Sequence, residues 1–286
     1  MLKKAAAFVK IEHTLFSLPL FFAGALLSQP WLGWASVAWG RLFLIVLAGT
    51  GARTTALALN RILDARIDAR NPRTAGRELP TGKLSKQSAW SIAAAGLFFY
   101  LLAAAALGPL CLELSPLPIA VFCFYPLMKR FTWACHFGVG LGLALAPVGG
   151  AFGYHPAWPL NPAVWWLGAF TFCWVSGFDV LYALLDEDFD RKEGIYSVPS
   201  RFSASTALDL GLMLHGAALL CLAALVHHYF APRLGPLAWV AMGPAACLLM
   251  LEQRFGYSLE PGSQFFVINA WVGVAVSFGV LVGVTL

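Results

Sequence analysis

Acidic residues are scarce in this chain: 14 of its 286 residues are aspartate or glutamate, and charged residues of both signs make up 12%. Soluble proteins carry charge on about a quarter of their residues, so this shortage, together with 59% hydrophobic residues, excludes an ordinary soluble domain. A mean hydropathy of +0.73 places the chain among polytopic membrane proteins. Paired cysteines are also lacking. Cys111, Cys123, Cys135, Cys173, Cys221 and Cys247 stand singly in or beside apolar runs, without Cys-x-x-Cys spacing, which excludes a disulfide framework and a thiolate metal site. No low-complexity tract or polar insert of domain size interrupts the chain, so residues 1–286 are expected to form one domain. No small-residue cleavage site follows Lys3 and Lys4, and Lys10, Glu12 and His13 break the first apolar run, which is therefore read as a retained helix rather than a signal peptide.

Nine apolar runs are present, at about 8–32, 42–63, 88–108, 111–128, 131–152, 163–186, 206–228, 235–251 and 264–285. Most are near the roughly 20 residues that span a bilayer. The expected fold is all-α: nine transmembrane helices in a bundle with two capping loops. The fourth run carries Glu113, Pro116 and Pro118 near its start, so a short, tilted or partly interfacial helix is expected there. In this nine-span scheme 16 of the 19 basic residues fall on one side, Arg41 and Arg233 fall on the other, and Arg53 lies within a span. That distribution argues against a nucleic-acid partner. By the positive-inside rule it makes the N-terminus cytoplasmic, in a cell (inner) membrane, and the C-terminus external.

Nine of the 14 acidic residues are concentrated in two segments, 60–78 and 179–193. In the first, Asn60, Asp64 and Asp68 recur every four residues, which places three oxygen donors on one helix face about 5–6 Å apart. In the second, Asp179, Asp186 and Asp190 are spaced by seven and four, with Tyr182 on the same side. Aspartates at helix ends can simply solvate a membrane boundary. Two clusters with matching four-residue spacing, in a chain with so few other carboxylates, favour a function instead. Two oxygen-rich faces meeting across a bundle suit a hard cation, and magnesium bridging to a diphosphate is the expectation.

Both clusters open long polar connections, about 64–87 and 186–205, expected to cover the same face. Because the two motif helices are four spans apart, the order suggests two four-helix halves followed by a ninth helix. The connections carry Arg66, Arg70, Arg73, Thr74 and Arg77, then Arg191 and Lys192. The positive-inside rule explains each cation as well as phosphate binding does; Arg73, Arg77 and Lys192 are taken as diphosphate candidates. Tyr125 and Lys129 are four apart at the end of the fourth run, which lets Lys129 meet phosphate while the phenol points into the bundle. Arg53 lies seven residues before Asn60 on the same face, about 10 Å deeper. It either pairs with a buried carboxylate or helix carbonyls, or binds the carboxylate of an aromatic substrate. The 22 Phe and 11 Trp offer apolar walls and faces able to stabilise an allylic cation.

These motifs resemble those of the UbiA superfamily of intramembrane aromatic prenyltransferases. The family's Asn-x-x-x-Asp-x-x-x-Asp matches Asn60, Asp64 and Asp68; its Asp-x-x-Tyr-x-x-x-Asp-x-x-x-Asp matches Asp179, Tyr182, Asp186 and Asp190; its Tyr-x-x-x-Lys matches Tyr125 and Lys129. The resemblance implies a Mg2+-dependent reaction in which a polyprenyl diphosphate loses diphosphate and its allylic cation alkylates an electron-rich ring. It implies metal ligands at Asn60, Asp64, Asp68, Asp179, Asp186 and Asp190, with acceptor contacts at Arg53, Asn60, Tyr125 and Tyr182, and loss of the ring proton to Asp179 or Asp68. Arg61 departs from the many 4-hydroxybenzoate-type members that carry Asp after the first Asn. The stretch 59–77 resembles a 4-hydroxybenzoate-polyprenyltransferase-like branch that includes enzymes assigned to a menaquinone route, leaving 4-hydroxybenzoate and 1,4-dihydroxy-6-naphthoate as acceptors. Two rival readings are a cation-coupled membrane transporter, which predicts carboxylates near the bilayer midplane and broken helices, and a CDP-alcohol phosphotransferase, whose Asp-Gly-x-x-Ala-Arg sequence is absent.

Overall fold

A computed structural model describes residues 8, 14–30, 32–257 and 263–286, and among the described residues every regular element is helical. The expectations at Lys3, Lys4, Lys10, Glu12 and His13 fall outside these residues. The long elements are α1 (Thr14–Leu27), α2 (Trp39–Asp68), α3 (Lys86–Leu107), α4 (Pro109–Met128), α5 (Cys135–Tyr154), α6 (Pro162–Tyr182), α7 (Ala204–Leu225), α8 (Pro236–Tyr257) and α9 (Ser263–Thr285). Among the described residues, 7 helical segments are long and apolar enough to cross a bilayer: α2 to α5, α6 continued to Glu193, α7 continued to Leu234, and Val267–Thr285 within α9. Of the other two, α1 spans 14 residues, and α8 spans 22 and carries Glu252, Gln253 and Arg254 near its end.

Local chemistry sets the boundaries. Ser85 and Ser203 cap α3 and α7 by accepting from the backbone N–H of Ser88 and Thr206, and Asn161 accepts from that of Ala163 ahead of Pro162 at the start of α6. In α4 the helix is marked off at Ser115, and Pro116 begins its second segment, where a missing N–H costs no hydrogen bond. The run expected to be short is therefore 20 residues long, enough to cross a bilayer, with a break at Ser115 and a second proline, Pro126, inside the helix.

Packing reverses the soluble pattern. Large apolar side chains such as Leu220, Met213, Val240 and Phe43 are among the most exposed, as a lipid-facing surface requires. Helices approach where side chains are small: a Cβ on Gly51 would stand 2.7 Å from the Gly96 carbonyl oxygen, so α2 and α3 meet backbone to backbone. Helix α6 is the most enclosed element, with Leu167, Phe170 and Trp174 fully buried. At Ala183–Asp186 it tightens into a 3-10 turn and then continues as a short helix, Glu187–Glu193. Across this tightened segment Asp179, Tyr182, Asp186 and Asp190 all line one cavity, with Asp186 meeting the loop after α2 and Asp179 meeting α5.

Candidate active site

The two aspartate motifs line one cavity of about 210 Å³. Helix α2 supplies Asn60, Asp64 and Asp68; the end of α4 supplies Tyr125 and Lys129; the start of α5 supplies His136; α6 and its continuation supply Asp179, Tyr182, Asp186 and Asp190. The loop after α2 adds Asn71, Arg73, Thr74 and Arg77, and the segment before α7 adds Tyr196 and Ser197. Two predicted residues lie elsewhere: Lys192 is exposed and outside the cavity wall, and Arg53 lines a neighbouring cavity.

Nearly every carboxylate is held by a positive or donating group. Lys129 Nζ donates to Asp64 Oδ2 at 2.6 Å, and Arg77 Nη1 donates to both oxygens of Asp68 at 2.9 and 2.8 Å. Arg73 forks onto Asp186, with Nε 2.8 Å from Oδ1 and Nη2 on Oδ2, while Nη1 donates to the Tyr182 hydroxyl at 3.2 Å. Burial works against the charge of Arg73, yet its bonds to Asp186 hold its pKa above the ordinary guanidinium value. Asn60 Nδ2 donates to the Tyr125 hydroxyl at 3.1 Å.

The loop after α2 is shaped to present its arginines. Asn71 Oδ1 accepts from the Arg73 N–H at 2.9 Å, an Asx turn, and Asn71 Nδ2 donates to Asp186 Oδ1 at 2.8 Å. Thr74 Oγ1 donates to the Asp68 carbonyl at 3.1 Å, folding the loop back over the end of α2. A further pair, Arg70 with Glu193 at 2.8 Å, joins the two polar connections, which meet over the same end of the bundle. Arg61, the departure noted in the first motif, points away from the cavity: it is buried, pairs with Glu78 and lies over the Phe8 ring at 5.4 Å.

Two residues that line the cavity were not singled out as site candidates from the sequence. Asn71 is one. The other is His136, only 2% exposed, whose Nε2 accepts the Val198 N–H at 3.2 Å; the proton therefore sits on Nδ1, which donates to Asp179 Oδ2 at 2.7 Å. His136 thus ties a motif aspartate to the second polar segment, which is also latched by Tyr196 N–H to the Lys129 carbonyl at 2.8 Å. A histidine at the start of an apolar run was visible in sequence, but its partners lie 43 and 62 residues away.

Next to the polar cavity, and sharing Tyr125 and Val139 with it, lies an apolar cavity of about 210 Å³ walled by α1, α2, α4, α5, α6 and α9. Arg53 lines it, and its Nε is buried without a hydrogen-bond partner. Phe178 forms part of the wall, stacked on Tyr182 with centroids 5.6 Å apart and on Phe265 at 5.0 Å. A third cavity, about 340 Å³, shares Phe21, Ala52, Phe122, Gly142 and Ala146 with the second and reaches the exposed Leu117, Trp158 and Trp165.

The polar cavity fits a magnesium ion that brings part of its own coordination shell. Its donors are hard oxygens, and Asp64 Oδ1 is buried with no hydrogen-bond partner, Arg130 Nη2 standing 3.9 Å away. Among the described residues no three Asp, Glu, His or Cys side chains are gathered closely enough to hold an ion alone. Magnesium ordinarily takes one or two carboxylates and completes its octahedron with water and phosphate oxygens.

The profile of the UbiA prenyltransferase family matches residues 17–272. The chain is 29% identical over 252 residues to a 4-hydroxybenzoate octaprenyltransferase of Vibrio campbellii, covering 85% of this chain and 84% of that protein. It is 30% identical over 251 residues to one of Shewanella denitrificans, covering 82% and 78%. The apo structure of a UbiA homolog from Aeropyrum pernix K1 superposes with a TM-score of 0.83 at 35% identity, covering 95% of this chain and 98% of that one. A UbiA homolog from Archaeoglobus fulgidus, solved bound to GPP and Mg2+, shares the fold at a TM-score of 0.71 and 17% identity, covering 99% and 100%. With the family profile spanning most of its length, and its motifs gathered around one cavity, the chain belongs to the UbiA prenyltransferase family.

Proposed function

We propose that this protein transfers a polyprenyl group from a polyprenyl diphosphate to a carboxylated phenol, 4-hydroxybenzoate or 1,4-dihydroxy-6-naphthoate, in ubiquinone or menaquinone biosynthesis. One observation carries the reading: a polar cavity of opposed aspartates and cations shares Tyr125 and Val139 with an apolar cavity lined by Arg53, whose Nε has no hydrogen-bond partner. Family membership sets aside the cation-coupled transporter as the alternative. The setting is a nine-span bundle formed by the single domain 1–286 in the inner membrane, with the N-terminus and both polar connections in the cytoplasm, where the soluble substrate and diphosphate are handled.

Asp64, Asp68, Asp186 and Asp190, with Asn60 and Asp179 beside them, would between them hold magnesium ions, each on one or two carboxylates, and these would supply Lewis-acid charge to the leaving diphosphate. Lys129, Arg73 and Arg77 leave their carboxylate partners for phosphate oxygens, so positive charge is in place where negative charge develops. The allylic C–O bond breaks with its electron pair passing to diphosphate, while the aromatic faces of Tyr182 and Phe178 border the carbon left positive. The apolar wall keeps water from that carbon. Arg53 holds the acceptor's carboxylate, and the ring carbon beside the hydroxyl forms the new C–C bond. The displaced ring proton goes to Asp179 rather than Asp68, because Asp68 would be engaged in holding the metal whereas His136 holds only one oxygen of Asp179. A cavity of about 210 Å³ is smaller than the roughly 300–1,000 Å³ of drug-sized sites, which suits a one- or two-ring acceptor.

The test is transfer of a radiolabelled polyprenyl diphosphate by the purified protein in lipid, with magnesium or EDTA, to both acceptors in parallel. Product with one of them, dependent on magnesium and lost in Asp64→Ala and Asp186→Ala, is expected. Turnover unaffected by EDTA, or normal activity in either variant, sinks the metal reading.

A further inference from the structure

We propose that Asn269 is a second acceptor-reading residue, whose side-chain oxygen takes a hydrogen bond from a ring hydroxyl while Arg53 holds the carboxylate of the same molecule. This rests on the reading of the apolar cavity as the acceptor's site and adds a requirement that reading does not contain: a hydroxyl donor recognised from α9.

Asn269 is 1% exposed, lines the same cavity as Arg53, and its Oδ1 has no hydrogen-bond partner. Leaving a buried acceptor unpaired costs roughly 1–3 kcal/mol, so a native structure that keeps one facing a cavity has a reason outside its own fold. The rest of α9 shows how polar groups in this helix are otherwise satisfied. Ser277 Oγ donates to the Gly273 carbonyl and Thr285 Oγ1 to the Leu281 carbonyl, both at 2.8 Å. An amide oxygen cannot donate in that way, and Oδ1 of Asn269 finds no donor elsewhere.

Its direction follows from its neighbours. Phe265, one helical turn earlier, stacks on Phe178, which forms part of the cavity wall, so the face of α9 carrying both residues is the one turned towards the cavity. The wall therefore offers two unsatisfied polar atoms in an apolar surround: a cationic donor at Arg53 Nε and a neutral acceptor at Asn269 Oδ1. A hydrocarbon ring leaves both unpaired, and an acid without a hydroxyl leaves Asn269 unpaired. A monoanionic aromatic acid with a ring hydroxyl satisfies both. Sites built to bond a substrate hydroxyl reject the analogue that lacks it far more strongly than apolar pockets discriminate by size.

The experiment is a ligand-by-variant cycle, read by calorimetric binding to the purified full-length protein in lipid nanodiscs without prenyl diphosphate. The probes are 4-hydroxybenzoate against benzoate, and 1,4-dihydroxy-6-naphthoate against 2-naphthoate. In the wild-type protein at least one hydroxylated acid is expected to bind about tenfold more tightly than its partner, a comparison that needs no variant to fold. Asn269→Leu should erase that ratio by weakening only the hydroxylated acid, and Asn269→Ser provides a smaller change should leucine not be accommodated. Arg53→Leu should weaken both members of a pair and leave their ratio. Equal wild-type affinities within both pairs, or equal losses for both members in Asn269→Leu, overturn the proposal. Should prenyl transfer proceed while the cycle shows no hydroxyl effect, the role of Asn269 alone falls; should no acid bind and no transfer occur, the functional reading falls with it.

Discussion

His136 is the residue whose role is most fully specified by geometry without any motif to announce it. Its two bonds separate cleanly: Nδ1–H holds Asp179, and Nε2 receives the Val198 N–H. An asparagine at this position places an amide N–H where Nδ1 stands but is too short to reach Val198, so His136→Asn should retain much of kcat while His136→Ala loses about 10- to 100-fold, the scale on which groups that orient a metal site act. The check is kcat for both variants alongside direct Mn2+ binding by electron paramagnetic resonance. Equal losses in the two variants would contradict the positioning role. The cations around the cavity are a different case. Lys129 is paired to a buried carboxylate, so removing it leaves Asp64 with only the longer Arg130 contact at 3.9 Å and costs stability as well as catalysis, whereas the exposed Arg191 pairs with Glu187 at the surface, where such contacts contribute little.

At the level of elements, α2, which carries the first aspartate motif, is held against α3 by close backbone approach. A side chain at Gly51 would meet backbone atoms of Gly96 and Tyr100 at 2.7 and 2.8 Å, atoms that cannot swing aside. Gly51→Val should therefore separate the helices, destabilise the protein by at least about 1–3 kcal/mol and lower the detergent-solubilised Tm. Gly216→Ala, in α7 with open space around the added methyl, serves as the neutral control. An unchanged Tm for Gly51→Val would show that the two helices can part without loss. The 3-10 turn at the end of α6 is the other decisive element. It lies between two aspartates with different partners, Asp179 meeting His136 and Asp186 meeting the loop that carries Asn71 and Arg73.

Across the whole molecule, three of the cavities, joined by shared lining residues, run in order from polar to apolar: the aspartate site, the Arg53 cavity, and a third cavity reaching exposed aromatic residues. Gly142 lines both apolar cavities, and a Cβ there would have only Val121 Cγ1 nearby, at 3.7 Å. A Cβ is accommodated and both cavities lie beside it, so the ring of Gly142→Phe should fill cavity space and obstruct a prenyl chain running between them. Competing a short against a long prenyl diphosphate tests this: transfer of a ten-carbon group should persist while that of a long polyprenyl group falls at least about tenfold. An unaltered preference would place the prenyl chain on another route.

Membrane residence, the helical class and the two aspartate clusters were determined by the sequence alone, because apolar run length and four-residue spacing are local properties that need no neighbour to express them. Tyr125 and Lys129 were legible for the same reason. Other features belong to the tertiary structure: His136 beside Asp179, Asn71 on Asp186, Arg61 turned away to Glu78, and Lys192 left outside the cavity. Each of these depends on how far one helix end is rotated and where a loop crosses another segment. Such contacts join residues up to 115 positions apart, and only the packing of the helices decides which side chains meet.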